Sequence, residues 1–162
     1  MCQECPAPQI VQNHDVLDMP KEKNVSQIDV LFPDILEYKK KHKRHMVFAH
    51  LNINGFRSKT EILDVLDKGY VDFLSISESK LNESFPSAQF SVNDFTLHRA
   101  DRNGNGGGVL SYVRADIPHR MMKNCWNDNG IEGIMIEITT NKQKFIIVTL
   151  YRPPKVEITN LI

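Results

Sequence analysis

Residues 46–78 read MVFAHLNINGFRSKTEILDVLDKGYVDFLSISE, and this stretch decides the fold. Met46 to Ile53 is a short apolar run rich in strand formers, so it reads as a β-strand. Asn54-Gly55 breaks it. Ser58 is placed to cap a helix, and Ile62, Leu63, Val65 and Leu66 fall on one helical face. Gly69 is the stop for that helix. Val71 to Ser77 then reads as a second, buried strand. A strand–helix–strand crossover makes its two strands parallel.

Downstream the pattern changes. Phe95–Arg99 is a weak strand, Asn103–Gly108 a glycine-rich turn, and Val109–Arg114 a strand. Ile131–Thr139 and Phe145–Tyr151 are strong strands around Thr140-Asn141-Lys142-Gln143, which predicts an antiparallel hairpin. One parallel pair followed by antiparallel strands predicts a mixed-sheet α/β body with a flanking helix. Upstream, residues 1–28 have no sustained periodicity and read as irregular, while Pro33 to about Lys41 predicts a short helix with Pro33 in its first turn.

The 162 residues carry 20 basic and 20 acidic side chains, and 41% of them are hydrophobic. That excludes a wholly disordered chain. No apolar run approaches the roughly 18 residues of a membrane span. The start has neither the basic region nor the apolar core of a signal peptide, so a nuclear or cytoplasmic compartment is expected, without secretion or membrane attachment. The zero net charge is a sum of unlike parts. Residues 1–38 hold seven acids and two lysines, residues 39–44 carry +5, and the remaining 118 residues hold 13 of each sign. This block pattern divides the chain into an arm, 1–45, with a basic joint at 39–44, and a body, 46–162. The plain reading of the joint is a solvated linker. The functional readings are a nucleic-acid contact or a nuclear address.

Three polar residues stand at the ends of apolar strands: Asn52, Glu78 after Leu74-Ser75-Ile76-Ser77, and Tyr151. Ligands of open α/β sheets bind beyond the carboxyl ends of strands, where a rigid sheet aims side chains at one spot. A carboxylate beside an amide suits Mg²⁺, which takes one or two protein carboxylates and completes its shell with water and phosphate oxygens. The structural alternative is that Glu78 pairs locally, Asn52 opens a turn and Tyr151 is a core aromatic with a wet hydroxyl.

A resemblance weighs on that choice. His50-Leu51-Asn52-Ile53-Asn54-Gly55-Phe56-Arg57 resembles the opening motif of the endonuclease/exonuclease/phosphatase superfamily. The likeness is nearest to the endonuclease domain of non-LTR retrotransposon (LINE-like) polyproteins. Phe73–Leu81 resembles that family's strand ending in a metal-binding glutamate. Arg99–Arg102 with Gly106–Arg114 resembles its glycine-rich strand start, and Leu150-Tyr151-Arg152-Pro153-Pro154 its tyrosine-bearing strand end. The likeness covers about residues 46–155. It implies a four-layer α/β sandwich, with two sheets face to face and helices outside. It also implies a divalent-metal-dependent phosphodiesterase acting on DNA. Glu78 would hold Mg²⁺ or Mn²⁺, Asn52 would orient the carboxylate and the phosphate, Tyr151 would bond the phosphate, and Asn54 would support them.

The departure is equally specific. The family carries an Asp-x-Asn motif, a further aspartate and an Asp–His pair after its tyrosine strand. Arg152 to Ile162 contain no Asp or His, and their only Asn is Asn160. The expectation is therefore an amino-terminal portion, inactive alone, with its second inner sheet largely missing and its apolar sheet face covered by the rest of the domain or by a partner. The alternatives are a domesticated non-catalytic binding module or a fragment of a superfamily phosphatase. Cys2-x-x-Cys5 has zinc-ligand spacing without the four ligands of a closed site, and resembles the tail of an upstream zinc finger. Cys125, beside Trp126, reads as a structural or surface residue. His50 is assigned to the strand face opposite Asn52.

Overall fold

The computed structural model describes residues 33–102, 106–126, 131–141 and 143–154, with Pro33 and 123–126 described by their backbone alone. The acidic arm to residue 32, Cys2, Cys5, residues 103–105 of the glycine turn, the Cys125 side chain and Asn160 lie outside that description.

Helix α1 spans Pro33–Lys41, as the proline and the run of basic residues at its end predict. Strands β1 (Phe48–Asn52) and β2 (Phe73–Ser77) pair in parallel, with Asn52 opposite Ser77. The crossover between them is a turn of 3₁₀ helix, Thr60–Leu63, running into the short helix α2, Asp64–Asp67. Ser58 does not cap it; Lys59 stands at that position and makes no capping side-chain bond. Val65 and Leu66 are buried, so the predicted apolar face is real although the helix is split.

Strands β3 (Phe95–Ala100) and β4 (Val109–Arg114) complete a sheet of order β1-β2-β4-β3, in which only the β1–β2 pair is parallel. Strands β5 (His119–Trp126), β6 (Glu132–Thr139) and β7 (Lys144–Tyr151) form a second, antiparallel sheet. The second sheet is thus present as three strands, against the expectation that it would be largely missing. A bulge between Met121 and Lys123 hides β5 in the sequence, because it breaks the period-two alternation.

The fold is α/β, and the described residues form three layers. Leu74, Ile76, Leu110 and Tyr112 turn to one side of the first sheet and pack with Ile35 and Leu36 of α1 and Leu66 of α2. Phe73, Val109 and Val113 turn to the other side and meet Ile134, Ile136 and Ile138 of β6. A polar seam crosses the same space: Ser75 Oγ donates to Thr149 Oγ1 at 3.0 Å, and Ser111 Oγ lies 3.3 Å from it. On the far side of the second sheet Ile146, Val148 and Leu150 of edge strand β7 remain 52, 43 and 46% exposed. The face expected to lie open, the inner face of the first sheet, is covered by β6, and the exposed apolar face belongs to the second sheet instead. Among the described residues no helix is long and apolar enough to cross a membrane.

His98 of β3 and His119 of β5 meet edge-on across the sheets, with ring centroids 5.3 Å apart. The buried Nε2 of His98 has no hydrogen-bond partner. Burial, and then the neighbouring His119, hold its pKa below the ordinary value. The unfolded chain therefore takes up this proton first as pH falls through about 6.5, and stability drops until the folded-state pKa is passed. Chemical denaturation between pH 7.5 and 5 should show a smaller loss in His98→Leu than in the parent chain. Equal losses would mean that His98 does not drive the acid sensitivity.

Candidate active site

Parallel pairing in register sends the carboxyl ends of β1 and β2 to the same edge of the sheet, and both candidate motifs lie there. Asn52 is the last residue of β1, and its Nδ2 donates to Glu78 Oε1 at 2.8 Å. Tyr151 ends β7 in the opposite sheet, and the Glu78 carboxylate is close enough to act on its hydroxyl. Burial, and then the Glu78 carboxylate, push the Tyr151 pKa up, so this hydroxyl is a proton donor at neutral pH. Two residues 99 positions apart, Asn52 and Tyr151, thus converge on the Glu78 carboxylate.

The backbone that presents Glu78 is unusual. Asn54, Glu78 and Lys80 all have left-handed φ, at 48, 55 and 54°. Non-glycine residues adopt this region at a cost, and persist there only when their surroundings hold them. Those surroundings are explicit. Gly55 N–H donates to Glu78 O at 2.8 Å, and Phe56 N–H to Ser79 O at 2.9 Å. From the other side Ser79 N–H donates to Gly108 O at 3.1 Å, and Lys80 N–H to Gly107 O at 2.9 Å. Asn54 contributes this turn conformation. Its side chain is exposed and makes no hydrogen bond to Glu78, Asn52 or Tyr151.

His50 requires a correction. It lies on the same face of β1 as Asn52, because residues two apart share a face in a strand. Its Nδ1 is 2.9 Å from Ser75 Oγ, and its Nε2 is 3.4 Å from Ser77 Oγ. It lines an apolar cleft of about 620 Å³ between edge strands β1 and β7, with Phe48, Phe73, Phe145 and Ile147.

Glu132, at the start of β6, escapes sequence reasoning. It is fully buried, directly opposite Tyr151 in the β6–β7 ladder. Its carboxylate accepts the Gly108 N–H, and Arg102 Nη1 lies 3.0 Å from Oε1. That approach is too far off line to count as a hydrogen bond, so Oε1 is held by charge alone. The only signal for it was an acid at the head of an apolar strand, where a boundary residue is the ordinary reading.

A second, polar cleft of about 530 Å³ opens beside Glu78, lined by Arg57, Ser58, Ser79, Lys80, Asn82 and Phe85 among others. Arg57 sits over the Phe85 ring, 4.7 Å from its centroid. Arg99 holds the far wall by donating to Phe85 O at 2.8 Å and Asn82 O at 3.2 Å. Among the described residues no group of three His, Cys, Asp or Glu side chains could hold a metal ion unaided. The donor set at Glu78 is one carboxylate, one amide and one phenol.

No family model and no curated protein matches the chain. Among solved structures it is similar to the 3' phosphatase NExo from Neisseria bound to product DNA hairpin, at 18% identity and TM-score 0.43. It is also similar to the 3'-5' exonuclease NExo from Neisseria meningitidis, at 17% identity and TM-score 0.41. The aligned parts are 63% and 60% of this chain, and 40% and 38% of the two Neisseria chains.

Proposed function

We propose that this chain carries the amino-terminal part of a divalent-metal-dependent phosphodiesterase domain of the retrotransposon-endonuclease type, acting on DNA. The observation that carries the reading is the convergence of Asn52 and Tyr151, from two different sheets, on Glu78. One carboxylate with an amide and a phenol fits Mg²⁺ or Mn²⁺ bound mostly by water, since such an ion accepts one protein carboxylate and fills its shell with water and phosphate oxygens. Asn52 occupies Oε1 and steadies the carboxylate, and Glu78 would hold the ion through its other oxygen. When bound, the ion withdraws charge from a phosphate and stabilises the leaving oxygen. Tyr151 keeps its proton and supplies a donor where negative charge develops. Arg57 and Lys80 give the adjoining cleft the positive charge a phosphate backbone needs.

No described side chain gathered at Glu78 is a base placed to activate water, so the test reads binding. Mn²⁺ titrated into ¹⁵N-labelled chain should broaden the amides of Asn52, Glu78 and Tyr151 first. Glu78→Gln should weaken that binding by about tenfold or more. Broadening spread evenly over surface carboxylates, or unchanged by Glu78→Gln, would defeat the reading.

A further inference from the structure

The basic run at the end of α1 is not part of the Glu78 site, and the structure gives it a form of its own. Lys39 is withdrawn from it: its Nζ pairs with the buried Asp72 at 2.8 Å and fastens the helix end to the body. The chain then turns back on itself, with His42 N–H donating to Tyr38 O at 2.8 Å and His45 N–H to His42 O at 2.9 Å. Tyr38 Oη and His45 Nδ1 are 2.8 Å apart, and the His42 and His45 rings stack with centroids 4.8 Å apart and planes 11° from parallel. This reversal gathers Lys40, Lys41, Lys43 and Arg44 around a recess of about 350 Å³. Among the described residues none of these four cations is paired with a carboxylate.

We propose that this recess and its four cations form a docking site for the phosphate backbone of nucleic acid, separate from the pole that holds Glu78. Four cations within five residues match the charge density of a duplex, which presents one phosphate per roughly 1.7 Å of axis. The stacked imidazoles offer flat faces beside them. An amphipathic membrane helix sets an apolar face beside its charges. Here Ile35 and Leu36 of α1 pack against the core, and the exposed Tyr38 is engaged by His42 and His45. Asp72 also accepts the Val47 N–H at 2.7 Å, so the site lies at the amino end of β1, while Asn52 lies at its carboxyl end, about 16 Å away along the strand. A nucleic acid reaching both poles would gain affinity from two linked contacts. Charge and geometry define this docking site whether or not Glu78 binds a metal.

The test is fluorescence anisotropy of a labelled 30-base-pair duplex with the whole chain, repeated across salt concentrations. The quadruple variant Lys40→Ala, Lys41→Ala, Lys43→Ala, Arg44→Ala retains Lys39 and its pair with Asp72. Its slope of log affinity against log salt should be shallower by about three to four, at about 0.9 for each phosphate no longer neutralised. Its affinity at 0.1 M salt should fall at least tenfold. A variant with Lys40, Lys41 and Lys43 changed to Arg should keep the parent slope, which separates lost charge from damaged folding. An unchanged slope in the quadruple variant, or an equal loss in the arginine variant, would overturn the proposal. So would tighter binding of phosphatidylserine vesicles than of the duplex by the parent chain.

Discussion

Asp72→Ala should cost this fold about 3 kcal/mol, at the lower end of the range for removing one member of a buried ion pair. At this chain length that corresponds to a fall in Tm of about 6–12 °C. Asp72 is only 1% exposed and serves three partners. It accepts the Val47 N–H just before β1, the Lys39 ammonium from α1 and an Arg114 Nη1 donor from the end of β4. Alanine leaves the partly buried Val47 N–H without its acceptor and two cations without their counter-charge. Lys39 and Arg114 reach water in part, and Arg114 also bonds Asp116 at 2.5 Å, which keeps the cost from the upper end of the range. Asp72→Asn retains an acceptor for Val47 and loses only the charge, so about half the penalty is expected. Thermal and urea unfolding of the three chains would check the order. If alanine and asparagine cost the same, the backbone acceptor contributes nothing and only the charge matters.

Asp72 also marks where the sequence was readable and where it was not. Strands β2, β4, β6 and β7 are legible from local apolar patterning, because each buries a face or both faces in a core within reach of its own residues. Helix α1 is legible from its proline and its terminal charges. Strand β5 is not, since its bulge removes the alternation that a strand is recognised by. At the candidate site Asn52, Glu78 and Tyr151 were legible as polar residues closing apolar runs, and the structure brings all three together. Asn54 was named as a supporting side chain, yet what it contributes is a left-handed backbone. Glu132 was illegible for a different reason. Its burial depends on a glycine loop and an arginine some 25 to 30 residues earlier, so nothing local distinguishes it from an ordinary strand boundary. Lys39 likewise reads as one more charge in a basic run until the fold sets Asp72 beside it.

Gly107→Ala should cost about 3–5 kcal/mol, and most of that should vanish as an independent cost when Glu132 is also changed to Ala. Gly107 has φ +72°, and a Cβ placed there would run into both carboxylate oxygens of Glu132. A left-handed alanine alone costs about 1–2 kcal/mol. Displacing the carboxylate adds the loss of its charge-assisted bond from the Gly108 N–H, about 1.5–3 kcal/mol. Glu132→Ala removes the obstacle and that bond together. The double variant should therefore lie only about 1–2 kcal/mol below Glu132→Ala, far short of additivity. The consequence reaches the candidate site, because Gly107 O and Gly108 O accept the amides of Lys80 and Ser79, the two residues that follow Glu78. A displaced loop releases one side of the strained Glu78 backbone, so Mn²⁺ affinity should fall in Gly107→Ala, in Glu132→Ala and in the double variant alike. Additive stability costs would mean that Gly107 and Glu132 act separately. Unchanged Mn²⁺ affinity in all three would detach the glycine loop from the presentation of Glu78, leaving the turn of Asn54 and Gly55 to hold it alone.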